Sequence, residues 1–127
     1  MSPVAGKSYP AVESRIEGER VRAFARAIGA DPEAGVPPTY AAVYALFSTA
    51  VQLYGDPEAA VDFRHLLHSE QEFSWTRHPE AGETVVASGR VEEDVERRNL
   101  RFLTYVTDVD TGDGPLCRSR MVNVIRG

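Results

Sequence analysis

Tyr40-Ala-Ala-Val-Tyr-Ala-Leu-Phe-Ser-Thr-Ala-Val-Gln-Leu-Tyr54 is the stretch that decides the fold. Wound into a helix, Tyr40, Val43, Tyr44, Leu46, Phe47, Val51, Leu53 and Tyr54 point in nearly every direction. A helix that is apolar all round has to be surrounded by other parts of a protein. About 15 residues at 1.5 Å each make a rod of roughly 22 Å. That falls short of the roughly 20 apolar residues that a bilayer span needs, and Ser48, Thr49 and Gln52 interrupt it. Thr39 stands before the run as an N-cap candidate and Gly55 closes it.

Beyond the rod the chain has a period of two. His68 to His78 alternates, with Phe73 and Trp75 on one face and Glu70, Glu72, Ser74 and Thr76 on the other; by the same count His68 falls on the face away from Phe73. Pro79-Glu80-Ala81-Gly82 is a turn. Val85, Ala87, Gly89 and Val91 share one face of the next strand, Glu83 to Val95. Arg97-Arg98-Asn99 marks a reversal, and Glu92-Glu93-Asp94 beside it reads as part of a solvated hairpin end. Leu100 to Val109 is apolar on both faces, as in a central strand. Thr111-Gly112-Asp113-Gly114 turns the chain into a last strand from Leu116 to Ile125. Short turns make neighbouring strands antiparallel. A strongly curved antiparallel sheet can wrap the rod and bury it.

Upstream, Pro3, Gly6 and Pro10 suit a loose or edge-strand lead-in. From Glu17, Val21, Phe24, Ala25 and Ile28 recur at helical spacing against Glu19, Arg20, Arg22 and Arg26, and Gly29 supplies the stop. Between Gly29 and Thr39 lies only Ala30-Asp31-Pro32-Glu33-Ala34-Gly35-Val36-Pro37-Pro38, a compact breaker segment.

The whole chain of 127 residues fits one α+β domain over residues 1–127. Its 14 basic and 19 acidic side chains leave a net charge of −5 without a basic block, which argues against nucleic-acid binding. A single cysteine, Cys117, permits no internal disulfide and suits a reducing compartment. The opening residues lack the apolar core of a signal peptide, so a soluble, cytoplasmic protein is expected.

Four segments, in this order and spacing, carry a resemblance: Glu19-Arg20-Val21-Arg22-Ala23-Phe24-Ala25-Arg26-Ala27-Ile28-Gly29; Pro37-Pro38-Thr39-Tyr40; Leu67-His68-Ser69-Glu70-Gln71-Glu72-Phe73; and Pro79-Glu80-Ala81-Gly82-Glu83. Together they resemble the MaoC-like hydratase/dehydratase branch of the hot-dog superfamily, in particular its amino-terminal, dehydratase-related type. The resemblance covers about residue 10 to residue 125. It implies a hot-dog fold, in which an antiparallel curved sheet wraps one long central helix, and a dimer that binds acyl thioesters at its interface. It also implies (R)-specific hydration and dehydration without metal or organic cofactor. Active relatives carry an Asp-x-Asn-Pro-x-His motif between the two helices, the His serving as general acid or base. Here Asp31 can stand for the Asp, while the Asn, the His and the roofing segment after it are missing. The usual dyad cannot be assembled from this chain alone, and the pocket mouth is expected to be wide.

The candidate catalytic residues are therefore Asp31, otherwise an ordinary turn aspartate, and His68, otherwise a solvent or dimer-seam residue, with His65 and His78 behind them. Thr39, Tyr40, Tyr44 and Phe47 are the candidate substrate-binding residues, the first doubling as cap and the others as core. Amides at the amino end of the buried helix are candidates for polarising the thioester carbonyl. Cys117 reads as a structural cysteine. Three functions compete. The first is a non-catalytic acyl-binding subunit that pairs with a dyad-bearing hot-dog chain. The second is a homodimeric lyase with a site rebuilt from Asp31 and His68 or His65. The third is a binding module for acyl-CoA or another hydrophobic metabolite.

Overall fold

The computed structural model describes residues 3–127. Its elements are β1 (Val12–Arg15), α1 (Gly18–Ala27), a long helix α2 over residues 38–55, then β2 (Leu66–Trp75), β3 (Thr84–Arg97), β4 (Leu100–Thr111) and β5 (Gly114–Arg126). The strands form one antiparallel sheet in the order β1-β3-β4-β5-β2. Its two edges are the short β1 and β2, the strand immediately after the central helix.

Local chemistry sets the boundaries. Gly29 takes φ +77°, the left-handed conformation that stops α1 where periodicity ends. The β3–β4 reversal is a two-residue turn in which Arg98 and Asn99 both have positive φ, 53° and 65°, matching the right-handed twist of the flanking strands. Helix α2 begins one residue earlier than Thr39. Pro37 is the extended residue before it and Pro38 occupies the first helical position, where a missing N–H costs nothing. Thr39 is exposed and makes no capping bond, which corrects the N-cap assignment. The helix opens with a 3-10 turn (Pro38–Tyr40), widens to π-helix over Ala42–Phe47 and ends as α-helix over Ser48–Gly55.

The concave face of the sheet receives α2 in two apolar clusters. Tyr40, Ala41, Tyr44 and Ala45 pack on Val85, Ala87, Val109 and Leu116, and Leu46, Ala50 and Leu53 pack on Val91, Leu103, Tyr105 and Met121. Small residues bring the helix close. A Cβ on Gly89 would overlap the Tyr105 hydroxyl and come within 2.9 Å of Thr49 Oγ1, which itself bonds Thr107 Oγ1 at 2.9 Å. Gly89→Ala is expected to cost about 1–3 kcal/mol through overpacking, read as a lower urea midpoint with an unchanged slope.

The sheath is not complete. Val43, Phe47 and Val51, spaced four residues apart, are 41%, 54% and 62% exposed on the helix face turned away from the sheet. The helix is therefore covered by its own strands on one side only, and the all-round burial expected from its composition needs another surface.

Of three register shifts among the described strands, two correct the simple alternation. One lies between His68 and Glu70, where the register of β2 on β5 shifts. As a result His68 pairs with Asn123 and joins the helix-facing row of Gln71, Phe73 and Trp75 instead of the opposite face. The other lies between Val91 and Glu93. It turns Asp94 inward, so that its carboxylate is buried against Arg101, with N–H···O distances of 2.8 and 2.9 Å, and accepts the Val4 amide at 2.9 Å. Asp94 is thus a core ion-pair residue, not part of a solvated hairpin end.

Candidate functional site

A cleft of about 240 Å³ separates β1 from the front half of α2. Strand parity puts Val12 and Ser14 on the helix side, opposite Ala87 and Val85 in the register. Tyr40, Val43 and Tyr44 form the facing wall, with Arg15 and Arg20 at the rim. Inside, Ser48 Oγ donates to the Tyr44 carbonyl at 2.7 Å. Ser14 Oγ is buried and has no hydrogen-bond partner among the described residues.

An aromatic group backs this cleft. Tyr40 packs edge-on to Phe24 with centroids 5.2 Å apart and lies 6.2 Å from the Tyr44 ring. The Tyr44 hydroxyl accepts the Trp75 indole N–H at 3.0 Å, and Trp75 in turn stacks near Phe73 and His78. Burial, with Cys117 alongside, raises the Tyr44 phenol above its ordinary range. Burial likewise pushes the Cys117 thiol up to about 11, against the lowering effect of Tyr44. Neither group ionises near neutral pH, so Cys117 is no thiolate nucleophile; its structural assignment agrees with its burial.

The remaining sequence candidates are scattered. Asp31 is exposed and accepts the Glu33 amide at 2.9 Å, an Asx turn that organises the loop. That loop faces Val21 and Arg22 of α1 and the Pro79–Ala81 turn across a second cleft of about 230 Å³, lined also by Pro32 and Val36. His68 is exposed and bonds Gln71 Oε1 at 3.1 Å, while Gln71 Nε2 donates to Ser119 Oγ at 2.9 Å. His65 Nδ1 meets Asp62 Oδ2 at 3.0 Å in the turn before β2. Among the described residues no hydrogen bond links Asp31 to His68 or His65, and no group of three or more His, Cys, Asp or Glu is placed to hold a metal ion. The structure therefore brings Tyr40 and Tyr44 together at one cleft and puts Phe47 on the exposed stripe. Thr39 offers no buried hydroxyl. The amides of Tyr40 and Ala41 are occupied by 3-10 bonds to the Pro37 and Pro38 carbonyls, so neither is free as arranged to polarise a thioester.

Sequence reasoning does not single out two residues of the site. Ser14 sits in a four-residue strand where a serine carries no distinctive signal. Trp75 reads as a core residue by alternation, and its hydrogen bond to Tyr44 spans 31 positions.

Helix, curved sheet and strand order define a hot-dog domain. The chain belongs to the family described as FAS1-like, dehydratase domain region, whose profile matches residues 4–119. It is 33% identical over 104 residues to a UPF0336 protein of Streptomyces avermitilis, covering 68% of each chain. A UPF0336 protein of Saccharopolyspora erythraea is 29% identical over 139 residues, covering 96% of this chain and 88% of that one. In three dimensions the chain is similar to the C-terminally truncated HadBC (3R-hydroxyacyl-ACP dehydratase) complex of Mycobacterium tuberculosis. The TM-score is 0.77 at 18% identity, over 97% of this chain and 98% of that one. The ChsH1-ChsH2 complex of the same organism gives a TM-score of 0.70 at 12% identity, over 94% and 84%. The (R)-hydratase from A. caviae involved in PHA biosynthesis gives 0.62 at 20% identity, over 97% and 96%. Among the described residues no helix is long and apolar enough to cross a membrane.

Proposed function

We propose that this chain is the acyl-binding, non-catalytic half of a two-component (R)-3-hydroxyacyl-thioester dehydratase or enoyl hydratase. Its partner would be a second hot-dog chain that carries the Asp and His of the dyad. The exposed stripe Val43, Phe47 and Val51 carries this reading, because a large apolar surface along a core helix calls for a covering partner. Support comes from the loop between α1 and α2, which contains no histidine, and from the similarity to HadBC and ChsH1-ChsH2, each named as a complex of two components. In this arrangement the partner's His would act on water. Tyr40, Tyr44 and the cleft beside them would hold the acyl group, with CoA or a carrier protein as the thioester carrier.

Native mass spectrometry after co-expression with a dyad-bearing hot-dog chain tests the pairing. A mixed assembly with hydration of 2-enoyl thioesters is expected. A stable homodimer that ignores such a partner overturns the reading. The competing homodimeric lyase, rebuilt from Asp31 and His68 or His65, makes the opposite prediction for point variants. Removing a general acid or base costs roughly 10²–10⁴-fold in rate. Asp31→Ala and His68→Ala are expected to leave turnover by the mixed assembly near wild type, because the structure ties each to a local turn or strand contact. A hundredfold loss in either variant, measured by enoyl-thioester absorbance, would return catalysis to this chain.

A further inference from the structure

We propose that a second copy of this chain packs on the sheet face turned away from α2, across an apolar row flanked by unpaired charges. This contact is separate from the stripe on α2 and from the cleft beside β1.

The strand register assembles the row. Val95 pairs with Phe102, Phe102 with Val124 and Val124 with Leu67, so four neighbouring strands each place an apolar side chain on the outer face. Val95 is there because of the bulge that turns Asp94 inward. Leu67 and Val95 are exposed, and Phe102 and Val124 are half-buried. A contiguous apolar row of this kind marks an interaction surface where single exposed residues do not.

The rows on either side carry opposite charge. Toward the β3–β4 turn stand Arg97, Leu100 and Arg126; on the other side stand Glu93, Thr104, Val122 and Glu70. Among the described residues, none of Arg97, Arg126, Glu93 and Glu70 has an ion pair within 4.0 Å. Farther along the same face charges pair within the chain: Arg120 with Glu92 at 3.6 Å, and Arg90 and Arg118 with Asp108 at 2.7 and 2.8 Å. The Arg97 guanidinium lies 4.9 Å from the Phe102 ring centroid, over the apolar row. Beside it opens a hollow of about 390 Å³ lined by Arg97, Arg98, Leu100 and Phe102.

This face is complementary to itself. A two-fold axis laid along the apolar row sets the row against its own copy and turns the second sheet end for end. The arginine side of each copy then covers the glutamate side of the other. Arg97 meets Glu93 on the same strand of the second copy, and Arg126 meets Glu70 one strand, about 4.8 Å, across. The strands of the two sheets stay close to aligned, the common geometry of sheet-on-sheet packing. Three rows about 7 Å apart over four strands make a face of roughly 20 Å by 20 Å. A contact of this size belongs with weak association that depends on concentration.

Sedimentation velocity over a range of protein concentration, with and without a hot-dog partner, tests this. The sedimenting unit is expected to double in mass as concentration rises. Val95→Asp should weaken that doubling by about tenfold or more, since it sets two carboxylates against an apolar row. Arg97→Glu should weaken it by about tenfold, because two symmetric contacts change from opposite to like charge. Glu93→Arg combined with Arg97→Glu should restore it, with urea midpoints unchanged throughout. Neither single variant touches the α2 stripe, so pairing with a hot-dog partner is kept. No doubling by wild type, or doubling that survives both single variants, overturns the contact. A combined variant no better than Arg97→Glu alone overturns the two-fold arrangement. Binding of wild type, without doubling, to phosphatidylcholine vesicles containing phosphatidylglycerol would assign the face to an anionic membrane instead, provided Arg97→Glu abolishes it.

Discussion

Asp94→Ala is expected to destabilise the protein by about 3–5 kcal/mol, the range for breaking a buried ion pair and leaving its partner uncompensated. Arg101 and Asp94 are both nearly inaccessible, and the guanidinium spans the carboxylate through Nε and Nη2. With the carboxylate gone, Arg101 keeps, among the described residues, only the Ala60 carbonyl, 3.2 Å from Nη1. The Val4 amide also loses its acceptor, while Gly6, Lys7 and Tyr9 keep their backbone hydrogen bonds to β3. Replacing both charges, as Asp94→Leu with Arg101→Met, is expected to recover most of the loss, because the desolvation of two ions disappears with their attraction. Urea unfolding of the single and double variants measures this; a single variant within 1 kcal/mol of wild type, on the scale of a surface pair, would refute it. The pair also has a pH signature. Burial opposes the charge on Asp94, yet the Arg101 hydrogen bonds, the Val4 amide and the Arg101 charge outweigh it and hold the carboxyl below its usual value. A carboxyl depressed in the folded state contributes stability in full above the unfolded pKa of about 3.9, and loses it as pH falls toward the folded value. Wild type should therefore lose this contribution below about pH 4, while Asp94→Ala has none to lose.

That this pair escapes a reading of the sequence has a definite cause. Strict alternation along β3 from Val85, Ala87, Gly89 and Val91 carries the inward face on to Glu93 and Val95. The bulge at Glu92 exchanges them for Asp94 and leaves Val95 40% exposed. The bulge at Ser69 likewise moves His68 to the helix-facing row. One added residue changes parity for everything beyond it, and no residue type announces it. The element order is legible because each boundary has its own chemistry: a left-handed Gly29, an extended residue before Pro38, a positive-φ Arg98-Asn99 turn. Tyr40 and Tyr44 are legible as both core and cleft because they lie one turn apart on a run whose neighbours are small. Ser14 is not, since an orphaned hydroxyl exists only once two distant elements are packed together. The composition of α2 carries more information than its own sheet uses: Val43, Phe47 and Val51 are apolar, yet none of the described strands covers them.

For that reason Phe47→Asp should separate folding from assembly. Phe47 is 54% exposed in the isolated chain, so introducing a carboxylate there removes little packing within the domain. Stability of the isolated protein should change by about 0.5 kcal/mol or less, as for most surface substitutions. In the proposed mixed assembly the same position would lie between two apolar surfaces, and a buried charge without a partner costs several kcal/mol. At 1.4 kcal/mol for each factor of ten, a penalty of about 3–4 kcal/mol weakens pairing by more than a hundredfold. Val51→Asp, one turn further along and 62% exposed, should act in the same direction. Val95→Asp provides the control: it is 40% exposed on β3, away from the stripe, and should leave pairing intact. Sedimentation velocity of the co-expressed chains, set beside urea unfolding of each variant alone, reads both quantities. The expected pattern is dissociation for Phe47→Asp and Val51→Asp with unfolding midpoints preserved. Normal pairing by both variants would mean that the stripe lies outside any interface, and the observation that carries the assignment of a hot-dog partner would vanish with it.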